Sequence, residues 1–416
     1  MRKILLHLSI GLTLCGLSGC FLLPPDLAGN TDTIKLGVIS PGSGTDAGDA
    51  VFNGAQLAVD QINAAGGVLG KKVSLIYADD QSDATKAPGK AMKLVTQGVL
   101  AIIGDSTSSA STAVLAQVAK PSQCVMVSPA STSPALTDPA KTDTGGYFYR
   151  TVASDSLQGK ALAQRALDAG YKTLAILNVD NAYGNGLAEV LKTTFEAQPG
   201  HTTFEQTYSE EPVPKPSYSD IVVPLLQKKP DAIVLIGYPG GGSQIIKDWI
   251  TSGIAPQMPW LFSEALEQDS FVANVNNPSR LEGLTGTAPY NSGDNYNRFV
   301  QDFETTYKIP PGPYAVNAYD AAVLIAFALE RGQALTRDAV KQNILAVSAG
   351  AGQVVNSGAD GIKAGLEALA SGQQVNYEGA SGSVDLTASG DVTSGSYVVW
   401  KITGGKIQLT DQVLTP

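Results

Sequence analysis

The stretch LAIIGDSTSSASTAV, residues 100–114, decides the fold. It opens with an apolar run at 100–103 that reads as a buried strand and stops at Gly104-Asp105. A helical spacing then sets in with Val114, Leu115 and Val118, predicting a helix over 109–119. Between the two lie Ser106, Thr107, Ser108, Ser109, Ser111 and Thr112. One hydroxyl at such a junction caps the helix. A crowd of them asks for a second reason.

The same strand-then-helix unit recurs on either side. Upstream, TIKLGVIS (33–40) reads as a strand, 49–65 as a helix with Val51, Ala55, Leu57, Ala58 and Ile62 on one face, 71–80 as a strand and 83–97 as a helix. Downstream comes the strand CVMVSPA (124–130). After YFYRTVASD (147–155) the alternation resumes: helices at 156–169, 184–197, 217–228 and 242–252 separate strands at 172–180, 201–208, 231–238 and 258–264. Strands that are almost continuously apolar and alternate with helices imply parallel sheets covered on both faces. The pattern therefore predicts two α/β units in series, meeting near 153–156. The rest is less repetitive, with a strand near 282–287, helices near 294–307, 314–331 and 336–345, and a Gly-rich strand pair within 376–410.

The N-terminus reads as an export signal. Met1-Arg2-Lys3 precedes an apolar run over 4–14, too short to span a bilayer, and then Leu17-Ser18-Gly19-Cys20. That ending resembles the lipobox of bacterial lipoproteins, which makes 1–19 a lipoprotein signal peptide, Cys20 the lipidated N-terminus and 20–32 a tether carrying Pro24-Pro25. Of the three cysteines, Cys15 leaves with the signal and Cys20 carries lipid. Cys124 is left without a disulfide partner, in a strand where it reads as core.

Charge and histidine count exclude several functions. The chain carries −10; losing Arg2 and Lys3 with the signal takes it to −12, because 1–19 holds no Asp or Glu. Nucleic-acid binding leans on Lys and Arg contacts to phosphate, so no nucleic-acid partner is expected. The two histidines are His7, in the signal, and His201. One histidine builds no multi-histidine metal site, and a Ser-His-Asp triad would hang on His201 alone. No metal site, cofactor or catalytic residue is expected. Gly42-Ser-Gly44-Thr-Asp-Ala-Gly48 places its last glycine one position late for a dinucleotide fingerprint, and Gly240-Gly241-Gly242-Ser243 lacks the Lys of a phosphate loop. Gly104-Asp-Ser106-Thr-Ser108 lacks the closing glycine of a nucleophile elbow.

In open parallel sheets, ligands sit beyond the carboxyl ends of the strands, where helices begin. Three strand ends carry small, hydroxylated sequence: SPGSGTDAGD (40–49), GDSTSSAST (104–112) and SPASTSPALT (128–137). Helix N-termini with free N–H groups favour an anion there, and hydroxyls add donors.

Seven segments taken together, GAQLAVDQINAAGGVLGKKVSLIYADDQSD, IIGDSTSSAS, VMVSPASTSPALT, YRTVASDSLQG, DNAYGNGLAE, KPDAIVLIGY and AYDAAVLI, resemble the branched-chain amino acid binding proteins, type I solute-binding receptors of ABC importers. The likeness runs over about 33–328, with YEGASGSVDL and GSYVVWKI similar to the family's closing strands. It implies two Rossmann-like α/β lobes with parallel sheets joined by a three-strand hinge, lobe 1 at 33–154 plus 288–378 and lobe 2 at 155–287 plus 379–416. It implies a ligand α-carboxylate held by Ser108, Ala130 and Thr132, with Thr107 or Ser109 in support. Glu264 of WLFSEALEQ then meets the α-ammonium, Asp155 stands at the lobe junction, Tyr183 lies along the ligand, and Tyr238 is a further candidate. The chain departs from the family where an aromatic residue usually precedes the first helix; Ala47 stands there. The expected partners are a small ligand such as an amino acid, an importer permease and the membrane through Cys20. Open alternatives are a ligand sensor for a chemoreceptor or kinase, a receptor for an amide, urea or aromatic acid, and last a serine hydrolase.

Overall fold

The computed structural model describes residues 33–42, 46–210 and 213–416. The expected signal peptide and tether over 1–32, with Cys20, and the side chain of Ala47 lie outside the described residues. Five strands form the first sheet: β1 (Thr33–Ser40), β2 (Lys72–Asp79), β3 (Ile102–Ile103), β4 (Met126–Ser128) and β5 (Phe148–Arg150). They run parallel in the order β2-β1-β3-β4-β5. The interleaved helices are α1 (Asp46–Ala64), α2 (Ala87–Thr96) and α3 (Ser108–Val114). The helix expected over 109–119 is α only to Val114; the chain widens into a π-turn over Leu115–Ala119.

The second sheet collects β6 (Thr173–Val179), β7 (Thr202–Tyr208), β8 (Ala232–Ile236), β9 (Trp260–Phe262) and β10 (Thr285–Pro289), again parallel. Between them run α4 (Asp155–Asp168), α5 (Ala182–Glu196), α6 (Ser219–Gln227), α7 (Pro239–Ser252) and the short α8 (Asp269–Ala273). The chain then returns to the first sheet with α9 (Asp294–Tyr307), α10 (Ala315–Arg331) and α11 (Arg337–Ser348). There follow β11 (Gln353–Asn356), α12 (Ala359–Ala370), β12 (Val375–Gly379) and β13 (Gly382–Ser383), whose strands make a small third sheet. The strand pair β14 (Tyr397–Thr403) and β15 (Lys406–Leu414) closes the second sheet, antiparallel on β10.

Helix α10 anchors the first lobe, buried at every residue from Ala315 to Glu330. Such a helix is apolar all round because protein covers every face. Helix α1 packs so close that a Cβ on Gly54 would fall 1.9 Å from the Ala315 carbonyl oxygen. The one charge in the middle of α10, Asp320, is fully satisfied: it accepts from the Tyr377 and Ser381 hydroxyls and from the N–H groups of Ala380 and Ser381.

The chain crosses between the lobes three times, at about 151–154, 290–293 and 393–396, and the crossings touch. Tyr290 N–H donates to the Ser396 carbonyl (2.8 Å) and the Tyr397 hydroxyl to the Ser154 carbonyl (3.3 Å). The last crossing falls later than the expected boundary at 378/379. Ala380, Val384, Leu386 and Val392 pack in the core of the first lobe, and Asp391 is held by Arg150. Long-range pairing, invisible in the local pattern, fixes that boundary. Among the described residues no helix is long and apolar enough to cross a membrane.

Candidate functional site

The hydroxyl cluster divides into two sets with different work. Ser111, Ser128 and Ser131 turn inward: each hydroxyl donates to the Asp105 carbonyl, at 3.2, 2.7 and 2.9 Å. They tie the turns after β3 and β4 into one rigid unit. Ser108, at the first turn of α3, accepts from the Ser133 N–H (3.2 Å), which leaves its own proton for a further acceptor. Thr132, in that second turn, is 2% exposed, and its carbonyl accepts from the Asp155 N–H at 2.9 Å. Ala130 stands two residues away, 7% exposed. Thus Ser108, Ala130 and Thr132 come together at the expected strand ends, while Ser111 belongs to the scaffold.

Two buried carboxylates stand at the same meeting of the lobes, Asp155 directly beside Thr132. Glu264 follows β9 on a 3₁₀ turn and is 7% exposed; its Oε2 accepts from Gln158 Nε2 (2.6 Å) and the Tyr183 hydroxyl (2.9 Å). Burial pushes its carboxyl up to about 7. Asp155, first residue of α4, is completely buried and neither carboxylate oxygen has a partner of good hydrogen-bond geometry among the described residues. Burial and then the Glu264 charge raise its pKa well above the carboxylate range, with the Thr132 hydroxyl and Arg150 pulling the other way. Two buried carboxylates side by side are costly unless a proton or a cation joins them.

The lobes meet around this pair. The Ala182 N–H at the start of α5 donates to Ser109 Oγ at the start of α3 (3.2 Å), so Ser109 latches the lobes. Gly186 of α5 lies against the turn at 133–134; a Cβ there would fall 2.9 Å from Ser133 Oγ. Lys141 and Glu189 add an exposed ion pair at 2.9 Å. The Tyr183 and Tyr238 rings sit 5.6 Å apart, and Asn181 Nδ2 reaches the Tyr238 hydroxyl at 3.4 Å.

Three residues that the sequence did not single out matter here. Gln158 lies one turn along α4 from Asp155, a spacing that puts both on one face. Tyr314 precedes α10, and its hydroxyl feels the charges of Glu264, Asp155 and Glu267. Arg150, wholly buried at the end of β5, donates to Asp391 and Thr137 side chains and to the Ser131 and Ser133 carbonyls, clamping the turn that carries Thr132. No local signal marks it, since its partners lie far along the chain.

The remaining motifs fall elsewhere. The glycines at 240–242 make room for Glu210: a Cβ on Gly241 would fall 2.3 Å from its Oε1. His201 bonds the Gln198 and Pro199 carbonyls and packs edge-on against Phe195. Cys124 is buried and free, its thiol pushed up to about 11 by burial, too high for a reactive thiolate. Among the described residues no group of three or more His, Cys, Asp or Glu is placed to hold a metal ion.

Comparison with known proteins places this two-lobed architecture. The family model described as "Periplasmic binding protein" matches residues 33–406. The chain belongs to the periplasmic binding protein family. Its members are solute-binding receptors, not enzymes. This binding protein is 29% identical over 383 residues to the chemotactic signal transduction system substrate-binding protein BasB of Halobacterium salinarum, covering 90% of this chain and 88% of that one. It is 28% identical over 381 residues to the Leu/Ile/Val-binding protein BraC3 of Rhizobium johnstonii, covering 90% and 93%. The crystal structure of the leucine binding protein LivK from Thermotoga maritima superposes with a TM-score of 0.75 at 24% identity, covering 92% and 99%, which establishes the shared fold.

Proposed function

We propose that this binding protein captures a small α-amino acid between its lobes outside the cytoplasm and delivers it to an ABC importer. The observation that carries the reading is the pair of buried carboxylates where the lobes meet, Asp155 beside Thr132 with both oxygens short of a well-aligned partner and Glu264 held by Gln158 and Tyr183. An ammonium group joins the two carboxylates; the ligand carboxylate takes the hydroxyls and the backbone at Ala130. Tyr183 and Tyr238 line the space beside the ligand. Closing the lobes removes water and strengthens each charge-assisted bond. Only the closed state then needs to be recognised by the permease. The names of relatives such as BraC3 support an amino acid cargo. The name of BasB favours a second reading, in which the same closure reports to a signalling partner. Uptake of labelled ligand lost on deletion of a neighbouring permease gene supports transport; unchanged uptake with lost taxis supports sensing.

The pH dependence of binding tests the carboxylate role. An ammonium favours ionised Glu264, whose carboxyl sits at about 7 in the free protein, so binding at lower pH must expel a proton. Affinity should rise from pH 5.5 to about 7, by at most about tenfold per pH unit, and level off above. Calorimetry in buffers of different ionisation enthalpy should register the proton released. Affinity that is flat across this range sinks the role assigned to Glu264.

The lipid anchor at Cys20 belongs to the same proposal and rests on the signal sequence. Cys20→Ala should free the protein from the membrane fraction or leave it unprocessed. A variant that is cleaved after Gly19 and still sediments with membranes refutes the anchor.

A further inference from the structure

Glu264 is held by a neighbour whose orientation its surroundings decide. Gln158, in the first turn of α4, is 1% exposed, and its Nε2 donates to Glu264 Oε2 at 2.6 Å and to the Thr287 carbonyl at 3.4 Å. A carboxylate and a carbonyl only accept, so the nitrogen of the carboxamide must face them. A short bond from an N–H to an ionised group, away from water, is of the strong kind. The Tyr183 hydroxyl reaches the same oxygen at 2.9 Å, and the N–H groups of Glu264 and Ala265 also favour the charged form. Gln158 differs from these donors in where it stands. Helix α4 starts directly after the crossing at about 151–154, with the Asp155 N–H on the Thr132 carbonyl of the first lobe (2.9 Å). Thr287, in β10, precedes the crossing at about 290–293. One carboxamide therefore ties the Glu264 carboxyl to both of these segments.

We propose, resting on the α-amino acid reading above, that Gln158 is a positioning residue for the amine end of the ligand. Its carboxamide keeps the Glu264 carboxylate charged and fixed before the ligand arrives. Burial opposes that charge, and Gln158 is one of the donors that offset it. Removing the donor should raise the carboxyl further. Other titratable groups feel the Glu264 charge: Asp155 on α4, Tyr183 on α5, Tyr238 before α7, Glu267 after the 3₁₀ turn, Tyr314 before α10 and Tyr397 on β14. Arg150 acts on Asp155 and Tyr397 and is itself bound to Asp391. Burial keeps the four tyrosines protonated far above neutral pH. Glu267 sits at about 7, as Glu264 does, so its titration is common to parent and variant and cancels between them.

Gln158→Met keeps the length of the side chain and removes the N–H. Parent and variant are titrated by calorimetry at pH 6 and pH 8.5 with the parent's tightest-binding α-amino acid. Loss of a charge-assisted hydrogen bond should move the Glu264 titration up by about one pH unit. The variant should then bind about tenfold more weakly than the parent at pH 6, and within about threefold of it at pH 8.5, where Glu264 is largely ionised in both. An equal loss at the two pH values reduces Gln158 to packing and overturns the proposal, as does no loss at either. A second measurement needs no variant to fold: NMR of the ligand-free, unaltered protein carrying isotope-labelled glutamine. The Gln158 carboxamide signal should shift with a midpoint near the Glu264 value of about 7. A signal that stays flat from pH 5.5 to 8.5 overturns the hold of Gln158 on Glu264. Failure of every amino acid to bind the parent overturns the amino acid reading instead, and the NMR titration still decides whether Gln158 holds the carboxylate.

Discussion

Glu264→Gln should lower affinity for an α-amino acid by two orders of magnitude or more. Glutamine keeps the shape and still accepts from Gln158 and Tyr183, the donors that reach Glu264 Oε2 at 2.6 and 2.9 Å. What it removes is one charge of the pair that meets the ammonium. Depriving a buried charge of its partner costs about 3–5 kcal/mol, roughly two to three orders of magnitude in Kd. The same substitution should make the ligand-free protein more stable at pH 8. The Glu264 carboxyl is raised in the folded protein, so its contribution is favourable below the unfolded carboxylate value and is lost as pH rises through about 7. Thermal unfolding should therefore show a gain for the variant at pH 8 and little change at pH 4. A variant that binds as well as the parent, or loses stability at both pH values, removes Glu264 from the site.

Arg150→Ala should be the most destabilising of the single substitutions considered. The guanidinium is completely buried and binds Asp391 at 2.6 Å, the Thr137 hydroxyl at 2.9 Å, and the Ser131 and Ser133 carbonyls at 3.0 and 2.9 Å. Truncation leaves the Asp391 carboxylate and two carbonyls without their donor, a loss of about 3–5 kcal/mol. Lysine should not restore it, because a single ammonium cannot reproduce a fork that engages four groups. Binding should weaken as well, since the released turn carries Thr132. Urea unfolding of the parent, Arg150→Ala and Arg150→Lys checks the first point. A midpoint within error of the parent for the alanine variant contradicts it.

These two residues differ in how far sequence reading reaches them. The strand–helix alternation is legible because buried parallel strands are apolar nearly throughout and their helices show one apolar face, as in 172–180 followed by α5. Glu264 is reachable through a local motif at a strand end. Arg150 is not: its clamp depends on Asp391, which stays with the first lobe because the last crossing follows it instead of falling at 378/379. The same holds for Asp320, whose partners at Tyr377 and Ser381 tie the closing segment to the first lobe. The hydroxyl cluster was readable as a set but not in its division. Which serine turns to the Asp105 carbonyl and which toward the cleft depends on the neighbouring turn at 128–133. β11 and α12 went unanticipated in a tail with few apolar runs.

On the function proposed above, one ligand bridges the lobes, with its carboxylate on the hydroxyl turns and its ammonium on the Asp155–Glu264 pair. The direct measurement is calorimetric titration of the unaltered protein at pH 8 with its tightest-binding α-amino acid and with the same molecule lacking only the α-amine. The des-amino compound should bind at least about a hundredfold more weakly, because it leaves two buried carboxylates facing one another uncompensated. Equal affinity for the two compounds would contradict it.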